Sequence, residues 1–569
     1  MWERDIFMTE DRPKEIKATM EVLRKLFIMP DSPDKFVEFG HELLEMIHEF
    51  FREKGGIHSS ISLPDLSRIF SRTSVPSSPM LIKDVLGEIK EEVIAHSVKV
   101  GSPYYIGHMI SPIPYFMILL EMIIAALNQN QVKIETAKAS SFVEKELVTW
   151  LHRLVFNRTE RFYEKNVQNP RVCLGNVTSD GTLANLTALS VAREKAFPPE
   201  GSFGGVRREG MARALEHYGF RRAVVMVSTR GHYSIAKAAN LLGMGSDNVI
   251  TVPVNENNLM DVSKLRRRIR ALGADERVLA IIGIAGTTET GNIDDLEALA
   301  EVSRETGTHF HVDACWGGSV LLVEEYRSLF RGIEEADSVS IDAHKLLYCP
   351  MTMGLILFRN ERDLNHLKHS SMYVIRRNSV DTGRFTIEGS RPFSALKPWA
   401  SLKILGSQGY RLLFESARKN TRILKDLLEA DGHFEVLNRP ELFILNYRFV
   451  PGPAQRVLDE ADRGGGPNKK GGRYAPDGFV RKVNRLVNAL NVKLHKELRK
   501  DDTTFVSRTT LESTRYRPQR IVVLRAVLSN PLTDRDVLQE IVGTQSRIGR
   551  KLWQEFVPAF DRLNDSVAP

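Results

Sequence analysis

Several polar clusters in this 569-residue chain follow short apolar runs and carry groups able to bind anions or move protons. The most telling is Asp337-Ser338-Val339-Ser340-Ile341-Asp342-Ala343-His344-Lys345, a β-branched run ending in a polar corner with one lysine. Partial burial beside another cation would lower an ammonium pKa and free the Lys345 amine to attack a carbonyl. Taken alone, that lysine reads more plainly as a surface residue at a strand end. Thr178-Ser179-Asp180-Gly181-Thr182 precedes a helical pattern. It offers either a plain N-cap or, through unpaired N–H groups and the helix dipole, an anion seat. His232, in Gly231-His232-Tyr233-Ser234, could stack on a planar ligand or transfer a proton; a solvent-facing turn histidine is the alternative. Gly286-Thr287-Thr288-Glu289-Thr290-Gly291 supplies hydroxyls. In His309-Phe310-His311-Val312-Asp313-Ala314-Cys315-Trp316-Gly317-Gly318 an apolar strand runs into an acid, costly to bury unless a cation meets it. The small residues after it leave room for something flat. His309 and His311 alternate onto one face, but no cysteine or carboxylate stands at metal-ligand spacing, so no metal site is expected.

The elements that must position these groups alternate. Strands are expected at Val172–Val177, Ala223–Ser228, Val249–Val254, Val278–Ala285, His309–Ala314, Ser338–Ile341 and Gly354–Phe358. Helices are expected at Leu183–Ala196, Ala236–Leu242, Val262–Ala271 and Asp294–Glu305. This is the grammar of an α/β fold with a largely parallel sheet covered on both faces, where ligands sit at the carboxyl ends of strands. Residues 1–160 read as mostly helical, from the spacing of Phe36, Phe39, Leu43, Leu44 and Ile47 and of Phe142, Leu147, Leu151 and Val155. The large domain is expected over 161–398 and a smaller C-terminal domain over 399–569. The latter has helix near Ser401–Glu429, strands at Leu442–Tyr447 and Ile521–Leu528, and a last helix from Asp534 to about Phe556. The Gly/Lys-rich stretch 463–478 reads as a mobile insertion.

Apolar content of 42% and charged content of 26% fit an ordinary globular protein and exclude disordered and collagen-like classes. The net charge of +8 is modest for this length and reads as a solvated basic surface. The same holds for Lys264-Leu265-Arg266-Arg267-Arg268-Ile269-Arg270, so no nucleic-acid partner is expected. Three cysteines, Cys173, Cys315 and Cys349, are too few for a disulfide framework and point to a reducing, cytoplasmic setting. Met1–Asp5 mixes charges, so no signal peptide is expected. The apolar run Tyr115–Leu127 is too short to span a membrane and is interrupted by Glu121, so it is expected to be a buried helix.

Five loops at one sheet edge thus offer an anion cradle, a histidine for a flat ligand, hydroxyls, a buried acid and a lysine. Pyridoxal 5′-phosphate asks for all five: a phosphate, a pyridine ring whose nitrogen works best protonated beside a carboxylate, a phenolic oxygen, and an aldehyde that condenses with lysine. The ordered motifs Thr178–Thr182, His232-Tyr233-Ser234, Gly286-Thr287-Thr288, His311-Val312-Asp313-Ala314, Asp342-Ala343-His344-Lys345 and Glu388-Gly389-Ser390-Arg391 resemble the group II pyridoxal-phosphate-dependent amino acid decarboxylases. Within them, Gly286–Asp294 and Asn128–Thr136 are most similar to the bacterial aspartate 1-decarboxylases, with the glutamate decarboxylases next.

The resemblance runs from about Ser102 to Ile548 and implies fold type I, the aspartate-aminotransferase-like fold, with a smaller α+β C-terminal domain. It implies that Lys345 carries the cofactor, that His344 lies near the phosphate and that Asp313 faces the ring nitrogen. It further implies that His232 stacks on the ring, Cys315 lies under it, Thr288 meets the phenolic side, and Thr178, Ser179 and Gly181 hold phosphate. Arg525 matches an arginine for a substrate carboxylate, and His108 a polar residue given to a neighbouring subunit's site. Tyr373 is the nearest counterpart of a loop tyrosine that protonates the product. Asp180, where the family has a small residue, would repel a phosphate unless its side chain turns away as a cap. The implied reaction is decarboxylation of an acidic amino acid by a homodimer with a shared site: aspartate to β-alanine first, glutamate to GABA or cysteine sulfinate otherwise.

Overall fold

Seven short strands, nearly all buried, build the main sheet: β1 (Gly175–Thr178), β2 (Arg222–Ser228), β3 (Val249–Val252), β4 (Glu276–Ile284), β5 (His309–Asp313), β6 (Ser338–Asp342) and β7 (Gly354–Phe358). A computed structural model gives this arrangement and describes residues 26–28, 30, 33–53, 56–110, 112–370, 379–463 and 477–565. The strand order is β1-β7-β6-β5-β4-β2-β3. The pairs from β6 through β3 are parallel, and β7 runs against both β6 and β1. The reversal has a local cause: β6 and β7 are joined by only Ala343–Met353, with no crossover helix, and a short connection can return only antiparallel. Six strands therefore point the same way, and the carboxyl ends of β2, β4, β5 and β6 share one edge.

Helices Gly181–Ala196, Ser234–Leu241, Val262–Arg270 and Leu296–Thr306 connect these strands, close to the expected bounds. The basic run on Val262–Arg270 buries only Leu265, and Arg266 pairs with Glu301 at 2.9 Å and with Glu305, which makes it a solvated face. A second sheet, in order β10-β11-β9-β8, is antiparallel throughout: β8 (Phe434–Val436), β9 (Ile444–Phe449), β10 (Ser507–Leu511) and β11 (Ile521–Val527). Helices Leu396–Asp431, Asp477–Asp501 and Arg535–Asp565 accompany it. On Asp477–Asp501 the buried Val483, Val487, Leu490 and Leu494 recur at helical spacing, an apolar stripe that seats the helix on the core.

The described residues part into two units between Lys99 and Val100. The first contains helices Phe36–Arg52, Leu63–Ile69 and Ile82–Glu88, with Ser62 capping the second through the Asp65 N–H at 3.2 Å and Lys90 meeting Glu49 at 2.8 Å. The second contains both sheets. The helix Tyr115–Leu127 forms over the expected bounds but is not a buried helix. Only Met117 and Ile124 are fully buried, while Tyr115, Leu119, Ile123 and Leu127 are exposed among the described residues. Among the described residues no helix is long and apolar enough to cross a membrane. Tyr373 and nearly all of the 463–478 stretch lie outside the described residues.

Candidate active site

The shared strand edge encloses a cavity of about 190 Å³ whose walls include Gly181, His232, Thr288, Asp313, Cys315, His344 and Lys345. They arrive from several strand ends: Lys345 and His344 just after β6, Asp313 and Cys315 at the end of β5, Thr288 after β4, His232 after β2. Gly181 opens the helix that follows β1. A Cβ there would lie 2.4 Å from Cys315 Sγ and 2.8 Å from Asp342 Oδ2, so only glycine leaves this wall clear.

Lys345 differs from expectation in its electrostatics. Its nearest charged neighbour is an anion, not a cation: Asp342 Oδ2 lies 3.0 Å from Nζ, on the turn that leaves β6. Burial works against the charge, but Asp342 and Asp313 outweigh it and hold the ammonium above its usual range. Asp342 Oδ1 is buried without a partner. The sequence signal for this pair is the acid three residues before the lysine.

Asp313 is 8% exposed and completes β5. Burial alone would raise its pKa, yet Lys345, Asn185 and the Cys315 amide together hold it below the usual carboxylate range. Its Oδ2 accepts from Asn185 Nδ2 at 2.9 Å and its Oδ1 from the Cys315 N–H at 3.2 Å. Asn185 comes from the second turn of Gly181–Ala196 and also donates to Ser234 Oγ at 3.1 Å. Ser234 Oγ lies 2.8 Å from His232 Nδ1, which also receives the Ser234 N–H at 3.3 Å, so the neutral imidazole carries its proton on Nε2. Burial, with a smaller push from Lys345, keeps His232 below its ordinary pKa in spite of Asp313. Burial pushes the Cys315 thiol well up, and it packs as a neutral group.

At the helix start the structure rearranges the expected phosphate set. Asp180 is the N-cap, accepting the Leu183 N–H at 2.9 Å, as the like-charge argument requires. Thr178 Oγ1 donates to the Asp180 carbonyl at 3.0 Å and Ser179 donates to Glu388; neither lines the cavity. Thr182 does, beside Gly181. Arg391 of the Glu388–Arg391 motif lies away from the cavity and grips buried Glu144 at 2.6 and 2.9 Å.

Arg525 comes from β11 and is 6% exposed. Its Nε donates to the Thr288 carbonyl at 2.7 Å, and Nη1 to the Gly107 carbonyl at 3.2 Å and Ser507 Oγ at 3.1 Å; Nη2 is buried with no partner. Burial pulls the guanidinium down to about 10 against the pull of Glu289, so it stays charged at neutral pH. The Ser102–Met109 loop is sewn to the second sheet through Ile106 N–H to the Phe505 carbonyl at 3.0 Å and Val527 N–H to the Ile106 carbonyl at 2.6 Å. That stitching brings His108 within electrostatic reach of this chain's own Arg525 and Lys345; partial burial and these two cations lower its pKa. Arg230 was not anticipated. It lines the cavity from the end of β2, with Nη2 3.1 Å from Asn258 Oδ1 and 3.6 Å from Glu512.

The residues present fit pyridoxal 5′-phosphate. Lys345 offers an amine and Asp313 an ionised carboxylate for the ring nitrogen. Gly181 and Thr182 open a helix N-terminus without side-chain bulk, and His232 is neutral beside them.

The protein-family model described as the pyridoxal-dependent decarboxylase conserved domain matches residues 64–450. The aspartate 1-decarboxylase of Aliivibrio fischeri is 37% identical over 94% of this chain and 95% of its own length. The L-2,4-diaminobutyrate decarboxylase of Acinetobacter baumannii is 29% identical over 65% of this chain and 72% of its own. Among solved structures, Oryza sativa TDC with PLP and tryptamine superposes with a TM-score of 0.75 at 19% identity, over 92% of this chain and all of that one, a likeness of fold. The mixed sheet with its smaller antiparallel partner is accordingly the fold type I arrangement, and the chain belongs to the pyridoxal-dependent decarboxylase family, with pyridoxal phosphate as its cofactor.

Proposed function

We propose that this decarboxylase acts on a small acidic amino acid, L-aspartate first, releasing CO2 and leaving β-alanine. The observation that carries the reading is Arg525. Three polar atoms fix its guanidinium in place, and the buried Nη2, with two N–H groups, is left without an acceptor. An unmet buried donor is costly, and a substrate's distal carboxylate would meet it with a charge-assisted hydrogen bond. The cation of a diaminobutyrate side chain would instead face a like charge. The likeness to an aspartate 1-decarboxylase over nearly the whole chain supports the same choice.

Bound pyridoxal phosphate supplies the electron sink for the pair left on Cα when CO2 departs. The chain's own residues make that possible. Lys345 is the attachment point and Asp313 holds negative charge against the ring nitrogen. Neutral His232, with its proton on Nε2, covers one side of the cavity, and Gly181 with Thr182 seats the phosphate at the helix N-terminus. The exposed stripe Tyr115, Leu119, Ile123 and Leu127 supports a homodimer, in keeping with a shared site. Three free cysteines agree with a cytoplasmic setting.

Product analysis with aspartate, glutamate and cysteine sulfinate side by side tests the substrate. β-Alanine should form fastest. Arg525→Met should cut kcat/KM for aspartate by about a hundredfold, the size of a lost buried charge contact. An aromatic amine from DOPA or tyrosine, with nothing from the acids, would refute the reading.

A further inference from the structure

Behind Asp313 the buried polar groups form one continuous chain. His309 Nε2 lies 2.8 Å from Ser338 Oγ, Ser338 Oγ lies 2.9 Å from His311 Nδ1, and His311 Nε2 lies 3.0 Å from Asn185 Oδ1. Asn185 Nδ2 then reaches Asp313 Oδ2 at 2.9 Å. Both histidines, Ser338 and Asn185 are buried, and neither imidazole plays a part in the chemistry described so far.

The direction of every proton follows from the ends. An ionised carboxylate only accepts, so the Asn185 amide must turn its NH2 to Asp313 and its oxygen to His311. His311 Nε2 must then carry a proton. Burial pulls this imidazole down to about 4, so it is neutral and its Nδ1 is a bare acceptor, filled by the Ser338 hydroxyl. Ser338 Oγ, having donated, accepts from His309 Nε2–H; His309 is likewise neutral, pulled down to about 3. Its Nδ1 has no partner, with Asp337 3.9 Å away at the outer end. All four donors therefore point inward, toward Asp313. Aligned hydrogen bonds in a low-dielectric interior polarise one another, so through Asn185 the carboxylate feels more than that side-chain amide alone.

We propose that His309, Ser338, His311 and Asn185 are positioning residues whose aligned hydrogen bonds keep Asp313 ionised and thereby keep the ring nitrogen of the cofactor protonated. The inference rests on the reading that Asp313 faces that nitrogen. Without the chain, Asp313 becomes a stronger base and draws the ring proton to itself, and the electron sink weakens. Ser338→Ala severs the chain without adding bulk: His311 Nδ1 loses its donor, and its proton can turn to the Ser338 carbonyl 3.2 Å away, leaving Asn185 Oδ1 with the Ser340 hydroxyl at 2.9 Å alone.

The test reconstitutes wild type, S338A, H311L and H311Q with ring-15N-labelled pyridoxal 5′-phosphate and records the ring-nitrogen resonance together with kcat and KM. The wild type should show a protonated ring. S338A and H311L should move toward the unprotonated position, with kcat lower by about fivefold, the size of one ordinary hydrogen bond, and KM within about twofold. H311Q, which keeps an N–H for Asn185, should restore the resonance. If H311L fails to fold, S338A decides the matter. A wild-type ring without its proton would overturn the Asp313 reading and the chain with it. A protonated wild-type ring that S338A leaves unmoved, at unchanged kcat, would overturn the chain's role alone.

Discussion

Lys345 is stored as an ammonium against Asp342, and that pairing sets how the cofactor is captured. Only the neutral amine attacks an aldehyde. With the folded pKa raised, little free amine exists near neutrality, and the capture rate should climb as pH rises between about 6.5 and 9. Asp342→Asn removes the first stabilising anion, so the proton leaves at lower pH. Capture at pH 7 should become faster and its pH dependence flatter, as followed by stopped-flow absorbance on mixing apoenzyme with pyridoxal phosphate. An equal or slower rate in D342N would show that the pair does not govern capture. The sequence named the lysine but reversed its environment. A strand end reveals where a side chain emerges, not which of its polar neighbours turns toward it. Arg230 escaped notice for the same reason: one arginine before Gly231 looks like any surface cation until the fold buries it.

The Gly181–Ala196 helix does two jobs near its N-terminus. Asn185 reaches Asp313 from one side, and Asp180 closes the N-terminus where the phosphate would sit. Asparagine caps as well as aspartate, so Asp180→Asn should preserve the Leu183 hydrogen bond while removing a like charge from the phosphate seat. Cofactor affinity should rise by about two- to fivefold, the scale of charge effects at a helix end. Asp180→Ala should lose the cap and about 1 kcal/mol of stability. Fluorescence titration with pyridoxal phosphate and thermal melts distinguish these outcomes, and weaker binding by D180N would contradict the assignment. Elements with a strong period were legible: β-branched runs became β2, β4 and β5, and the Leu183–Ala196 pattern became a helix. Val206–Tyr218 was not, because five of its thirteen residues are charged and it contains Gly210 at φ +80. β10, Ser507–Leu511, was also missed, since Ser-Arg-Thr-Thr carries little apolar signal and pairs only because β11 lies beside it.

At the scale of the molecule, burial of neutral histidines should set acid stability. His152, His309 and His311 are buried, with imidazoles pulled down to about 4, about 3 and about 4. Below about pH 6.5 the unfolded chain takes up protons that the fold refuses, so stability is present above that pH and lost as pH falls. At pH 5 each such histidine costs about 2 kcal/mol. Asp294, pushed up to about 6 by burial, works in the opposite sense and offsets part of the loss. Melting temperature should therefore drop between pH 7 and 5, and His152→Phe should flatten that slope even though it removes the hydrogen-bonding contacts with Tyr163 and the Phe358 carbonyl. The exposed Tyr115–Leu127 stripe should make light scattering report twice the 64.4 kDa chain mass, with Leu119→Glu/Ile123→Glu shifting the protein to monomer. The α/β alternation was readable because each strand had to be apolar enough to be buried on both faces. Apolar composition does not say which face of the Tyr115–Leu127 helix the fold buries, so its exposed stripe was not legible. The central claim, that Lys345 carries the cofactor with Asp313 opposite the ring nitrogen, is tested most directly by borohydride reduction of the yellow holoenzyme followed by peptide mapping. The expected result is a pyridoxyl group on Lys345 alone, absent from Lys345→Ala. A label on any other lysine, or a colourless protein after reconstitution, would contradict it.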